Sequence, residues 1–159
     1  FEAGLNFDLS YKNFDLTVQS YLSYGAEIFN GSRFFAYTQG RHLEQFSQWS
    51  PQNPDSNVPS YRNSEATESI RARSDYWLED GTYLRIRNIT LGYTLPQELM
   101  DKLKIGSVRL YVTGFNPFTF TNYTGYDPEV GGNGISTRGV DRGNYPVARR
   151  FVLGAKIKF

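Results

Sequence analysis

The chain has 159 residues, no cysteine and a formal net charge of +1 at pH 7. That length suits one ordinary domain; the missing cysteines exclude disulfides and thiolate metal sites, and the near-neutral charge excludes nucleic acid as a partner, which needs a dense basic patch. Mean hydropathy is -0.52 and no run of about 18 apolar residues exists, so the sequence predicts no transmembrane helix. A membrane strand, however, shows lipid only one face, and its mean hydropathy is diluted by the other. The 12 Tyr, 12 Phe and 15 Gly suit β-structure and interfacial aromatic girdles.

Residues 1–11 alternate without a break, with Phe1, Ala3, Leu5, Phe7, Leu9 and Tyr11 on one face and Glu2, Gly4, Asn6, Asp8 and Ser10 on the other. After Lys12-Asn13 the alternation resumes through residues 14–24, with Phe14, Leu16, Val18, Leu22 and Tyr24 on the apolar side. A period of two separated by so short a turn predicts a β-hairpin. Residues 25–81 form a long excursion. Leu43, Phe46 and Trp49 recur at helical spacing, and Ser50-Pro51 ends that pattern. Residues 51–59 are rich in Pro, Asn, Asp and Ser and predict turns, and residues 64–73 are mixed in charge and expected to be exposed. So long a loop in a compact domain is usually functional or disordered.

A third strand is expected over residues 82–95. Its parity changes on the way: Leu84 and Ile86 are even, whereas Ile89, Leu91, Tyr93 and Leu95 are odd. A bulge near Arg87-Asn88 would restore a single apolar face. Without it, Arg85 and Arg87 would share a face with Leu91, at about 2–4 kcal/mol each in lipid. Residues 96–106 form a compact connection with one helical turn around residues 97–103. A fourth strand is expected over residues 107–116, ended by Asn116-Pro117. A second loop, residues 117–148, is dense in Gly, Asn, Asp and Pro. A fifth strand is expected over residues 149–159, with Phe151, Leu153, Ala155, Ile157 and Phe159 on one face.

Short and long connections alternate, as they do in transmembrane barrels with short periplasmic turns and long extracellular loops. The expectation is therefore periplasmic turns at 12–13 and 96–106 and extracellular loops at 25–81 and 117–148. Phe1 and Tyr11 lie ten residues apart on one face, as do Phe14 and Tyr24. Ten residues at about 3.3 Å rise, tilted about 40°, give roughly 25 Å, the height of the apolar band between girdles. Ala3, Leu5, Leu16, Val18, Leu91, Leu110, Leu153 and Ile157 are then expected to face lipid. Five strands close no membrane barrel, whose smallest forms have about eight, so the sheet is expected to be part of a larger one.

The run Tyr83-Leu84-Arg85, Asn88-Ile89-Thr90-Leu91-Gly92-Tyr93 and Leu95-Pro96 resembles a late-barrel signature of SusC/RagA-type TonB-dependent transporters. So do Gly125-Tyr126-Asp127-Pro128-Glu129-Val130, Gly139-Val140-Asp141-Arg142-Gly143-Asn144-Tyr145-Pro146 and the strand from Arg150-Phe151 to Phe159. Trp49-Ser50-Pro51-Gln52-Asn53-Pro54 is a weaker match. The resemblance implies an all-β fold whose antiparallel strands form the C-terminal part of a barrel of about 22 strands, located in the outer membrane of a Gram-negative bacterium. It implies import of oligosaccharides or peptides, a SusD-like surface lipoprotein as lid, and energy from the inner-membrane TonB complex. The plug and TonB-contacting parts are expected to lie outside this chain, which begins at Phe1 in the middle of an alternating pattern and shows no signal peptide.

No enzyme chemistry stands out, and no cofactor or metal is expected. His42 lies in a loop beside Arg41 and is read as exposed rather than catalytic. The Gly131–Gly134 stretch lacks the Lys-Ser/Thr of a phosphate loop. Asp127, Glu129 and Asp141 are oxygen donors, but their spacing matches no calcium loop. Trp49, Tyr61, Trp77 and Tyr126 are candidates for contact with cargo or partner, because sugar rings and apolar side chains stack on such faces; packing within the loops is the competing role. Phe159 is a candidate assembly signal. The alternative function is a soluble, secreted β-sandwich that binds glycans, which would need a second sheet against the apolar face.

Overall fold

A computed structural model describes residues 1–61, 74–131 and 137–159. The expectation for residues 64–73 lies outside these, as does most of the glycine-rich stretch after Gly131. The elements are β1 (Glu2–Tyr11), β2 (Phe14–Ser23), β3 (Glu27–Asn30), α1 (Gly31–Thr38), β4 (Leu78–Asp80), β5 (Tyr83–Thr94), α2 (Gln97–Leu103), β6 (Ser107–Thr121), β7 (Val140–Asp141) and β8 (Arg150–Lys158). Two compact units result. One comprises Phe1–Gly25, Thr82–Asn122 and Val147–Phe159, and the other Ala26–Gly81 and Tyr123–Pro146.

The first unit is an antiparallel sheet in the order β1-β2-β5-β6-β8. Lys12 enters the tight β1–β2 turn at φ 53°. The register carries one face across all five strands. Leu9, Leu16, Leu91, Val112 and Leu153 form one row of it. Phe7, Val18, Ile89, Gly114 and Phe151 form the next. Tyr11, Phe14 and Tyr93 stand side by side near the turn end, and the rings of Phe14 and Tyr93 lie 4.7 Å apart. All eight residues named above as lipid-facing lie on this face. Apart from Gly114, which lies beneath its neighbours' side chains, none of it is buried: Leu91 is 46% exposed and Leu153 84%. The sandwich alternative needed this face covered, and none of its large apolar side chains is buried.

The opposite face is polar. Thr17 donates to Asp8 at 2.7 Å, and the Thr90 and Thr113 hydroxyls meet at 2.9 Å. Asp15 in β2 pairs with Arg109 in β6 across the whole width of β5. Gly92 lies beneath, where an added Cβ would sit 2.3 Å from Arg109 Nη2 and 2.5 Å from Asp15 Oδ1. The glycine is thus the floor over which the ion pair reaches.

The parity change resolves as a bulge at Arg87. Against β2, Gln19 pairs with Asn88 and Ser20 with Ile86, leaving Arg87 as the extra residue. Against β6, Asn88 pairs with Phe115 and Ile86 with Phe118, so Asn116 and Pro117 together oppose Arg87. This corrects the expected end of the fourth strand. Asn116-Pro117 does not stop β6, which continues to Thr121. Asn116 adopts φ 48°, and proline, lacking an N–H, sits where the ladder is already interrupted.

Ser23, Tyr83 and Thr121 share one end of the sheet, so both long loops leave from that end. Among the described residues the loops are not wholly irregular. They build the second unit, with a small sheet ordered β4-β3-β7, in which β3 and β7 run parallel. The helical spacing of Leu43, Phe46 and Trp49 yields only a 3-10 turn, Leu43–Ser47, and the α-helix of this stretch, α1, lies before it. Asn30 caps α1, its Oδ1 accepting from Arg33 N at 2.9 Å. Among the described residues no helix is long and apolar enough to cross a membrane.

Candidate functional site

The loop unit is organised by one polar node and one aromatic core. In the node, Asn30, 2% exposed, donates to Glu79 at 2.9 Å and to Thr124 at 3.3 Å. Thr124 donates to the same carboxylate through its N–H at 2.9 Å and its hydroxyl at 2.7 Å. Arg33 Nη1 lies 3.6 Å from it. Three distant segments, β3–α1, β4 and the second loop, are thereby tied at one buried amide, where loss of any partner would orphan the rest.

The core is Tyr37 and Trp77, whose rings meet edge-on at 5.1 Å, with Phe34 against Trp77 at 5.4 Å. Arg33 lies over the rings of Tyr37 and Tyr76. The Tyr37 hydroxyl donates to the Glu44 carboxylate, which also pairs with Arg33 at 2.8 Å. Burial, then the bond to Glu44, pushes the Tyr37 hydroxyl well above the usual tyrosine range. The Tyr37 hydrogen bond, joined by Arg33 and opposed by burial, holds the Glu44 carboxyl below its usual value. Tyr123 donates to Asp141 at 2.6 Å, and burial followed by that bond pushes its hydroxyl up as well. Gly31 sits so close to β7 that an added Cβ would lie 2.1 Å from the Asp141 carbonyl oxygen.

A cavity of about 840 Å³ opens in this unit, walled by Phe29, Phe34, Phe35 and Leu78 with Asp75 and Arg142 among its polar members. Its size falls in the range of ligand pockets. A smaller one of about 420 Å³ is lined by His42, Phe46 and Tyr61. Of the four aromatic candidates, the structure brings no two together at the larger cavity. Trp77 is 1% exposed and belongs to the core, a correction of its reading as a contact surface. Turn residues before it gave no sign that its ring folds inward. Tyr61 packs partly against that core. Trp49, 43% exposed, and Tyr126, 75% exposed, keep open faces. Phe29, Phe34 and Phe35 were missed; the Arg33-Phe34-Phe35 run was their only signal.

His42 caps the 3-10 turn, its Nδ1 accepting from Glu44 N, and stacks on Tyr37 at 4.6 Å. Asp127 accepts from Glu129 N at 2.9 Å, and Asp141 accepts from Tyr123 and Gly143. Among the described residues no three His, Asp or Glu side chains converge as a metal site.

No protein-family model matches the chain. It is 36% identical over 167 residues to the TonB-dependent receptor P3 of Formosa agariphila, a match covering 100% of this chain and 16% of that relative. It is 40% identical over 88 residues to the TonB-dependent receptor SusC of Bacteroides thetaiotaomicron, covering 54% of this chain and 8% of that one. Among solved structures, the RagAB peptide importer in its open-open state superposes with a TM-score of 0.82 at 27% identity, over 99% of this chain and 17% of that one. A second structure of the RagAB peptide transporter gives 0.80 at 28% identity, over 98% and 17%. The chain therefore spans a small part of each relative's length. An amphipathic antiparallel sheet, two long loops folded into one unit and a likeness that runs through both place the chain in the SusC/RagA family of TonB-dependent outer-membrane receptors, as one stretch of their polypeptide.

Proposed function

We propose that the sheet is a sector of the barrel wall of an outer-membrane importer, and that the two loops form part of its extracellular mouth. The observation that carries this reading is the apolar face, continuous over five strands with none of its large apolar side chains buried. In water such a face exposes far more apolar area than a monomer tolerates; in lipid it is at home. The outer edges of β1 and β8 also need neighbouring strands, because unpaired backbone groups in hydrocarbon cost several kcal/mol each.

The polar face then lines the lumen through which cargo passes. The loop unit, with Trp49 and Tyr126 exposed, meets a SusD-like lipoprotein on one side and peptide or oligosaccharide cargo on the other. The neighbour solved as a peptide importer favours peptides. TonB contacts belong to other parts of the full-length protein. Phe159, fully exposed at the end of β8, acts as an assembly signal offered by an amphipathic strand edge. Affinity purification of the full-length receptor in mild detergent tests the partnership: a lipoprotein should come with it in near-stoichiometric amount. Recovery of the barrel alone at every salt and detergent tried would overturn that part. Uptake of labelled cargo by cells lacking TonB should fall to background; unchanged uptake would overturn active import.

A further inference from the structure

The larger cavity of the loop unit joins an apolar wall to two opposite charges. Leu78 of β4, Phe29 of β3 and Val140 of β7 stand side by side in one row of the three-stranded sheet, and all three line the cavity. Phe34 and Phe35 of α1 extend that wall, the Phe34 ring lying 5.6 Å from those of Phe29 and Phe35. β4 runs antiparallel to β3, and β7 runs parallel to it. Asp75 comes shortly before β4 and Arg142 directly after β7, so both stand toward the end of β3 from which α1 starts, on opposite sides of that strand. Two strand intervals, roughly 10 Å, separate β4 from β7. Both side chains are exposed, and neither has an ion pair or a hydrogen bond among the described residues. Thr137 also lines the cavity, and its hydroxyl is buried with no hydrogen-bond partner.

An aromatic and aliphatic wall gains by covering apolar groups and offers few partners to the many hydroxyls of a sugar. A carboxylate and a guanidinium held apart are complementary to a ligand whose ammonium and carboxylate lie at a similar separation. A free tripeptide, extended, spans about 10 Å. The cavity, about 840 Å³, is of the size that takes a whole small ligand, and an unmet polar group at its wall calls for an occupant. We propose that this cavity binds short free peptides with apolar side chains, the side chains against Phe29, Phe35 and Leu78, the ammonium end toward Asp75 and the carboxylate end toward Arg142. The inference deepens the reading of the loops as the cargo-facing mouth and rests on it.

The test uses the full-length receptor, folded as judged by heat-modifiable mobility. The probes are the tripeptide Leu-Phe-Leu, its C-terminal amide, its N-acetyl form, the polar tripeptide Ser-Gly-Ser and a glucose trisaccharide. Free Leu-Phe-Leu should bind about tenfold tighter or more than each of the others. Arg142→Gln should bind the acid and the amide alike, and Asp75→Asn should bind the free and acetylated forms alike. Both side chains are exposed, so these variants should fold. Equal affinity for Leu-Phe-Leu and Ser-Gly-Ser, tighter binding of the trisaccharide, or terminal preferences that survive both substitutions would overturn the proposal. Leu78→Cys, or Phe35→Cys should the first fail to fold, separates this from the mouth reading. On intact cells a charged, water-soluble maleimide should label the cysteine, and Leu-Phe-Leu should protect it. Labelling without protection would sink this proposal alone. So would a cysteine that reacts on neither side of the outer membrane, because another part of the receptor or its lid then fills the cavity. Labelling only after the outer membrane is permeabilised would sink the mouth reading with it.

Discussion

Placing an arginine at Val18 gives a sharp test of the wall. Val18 stands on the apolar face between Phe7 and Ile89. It is four residues from Phe14 and six from Tyr24. At about 3.3 Å per residue and a tilt of about 40°, these separations are roughly 10 and 15 Å along the membrane normal. Val18 therefore lies within about 3 Å of the midplane of a band roughly 25 Å high. Val18→Arg should cost about 2–4 kcal/mol, which moves a urea midpoint by about 1–2 M at a slope near 2 kcal/mol per molar. The control is its neighbour. Thr17 faces the other way and donates to Asp8 at 2.7 Å, so Thr17→Arg should find a counter-ion and cost within about 0.5 kcal/mol of nothing. The assay is urea unfolding of the full-length barrel refolded into vesicles, followed by heat-modifiable mobility. Equal midpoints for the two variants, or a costlier Thr17→Arg, would refute the assignment of faces.

Trp77→Ala should loosen the loop unit by about 3–5 kcal/mol, the usual cost of emptying a buried indole site, while leaving barrel insertion intact; protease nicking within the loops should rise without loss of surface signal. The Glu44 carboxyl is held low in the folded protein by Tyr37 and then Arg33, so its stabilising contribution is present above the ordinary carboxylate value and is lost as pH falls through the lower folded one. Near-ultraviolet circular dichroism of the full-length protein, titrated downward from about pH 6, should show an acid limb that weakens in Glu44→Gln; identical curves would deny the linkage. Deleting Phe159, fully exposed and outside the ladder, should lower folded receptor in the outer membrane sharply while unfolded chain accumulates in the periplasm; normal surface levels would mean the ring only packs at the rim.

Much of the sheet could be read directly from the chain, because a two-residue period is a local property and one apolar face imposes it strand by strand. Even the bulge was visible, since Leu84 and Ile86 fall out of step with Ile89 and Leu91. The continuation of β6 through Asn116-Pro117 was not. A proline signals an interrupted ladder, and the sequence does not say whether the interruption is an end or a bulge. The loop unit was less legible still. Its parallel pair joins Phe29 to Val140, residues with no local pattern in common, and its buried node unites Asn30, Glu79 and Thr124 through side-chain bonds that periodicity does not encode. Trp77 illustrates the limit: an aromatic among turn formers reads equally as a surface anchor and as the centre of a small core.

The bulge at Arg87 has a consequence for how such a sheet is assembled. Alternation guards only against slips by an odd number of residues, because those alone exchange the two faces. A slip by two keeps every apolar side chain toward lipid and would pass unnoticed. With Arg87 opposed by two residues of β6 and by a gap in β2, there is one alignment in which surplus meets surplus, and any even slip leaves Pro117 opposite a regular ladder position that needs its N–H. The irregular point thus works as an index mark, distinguishing alignments that hydrophobicity treats as equal while neighbouring strands are still finding each other.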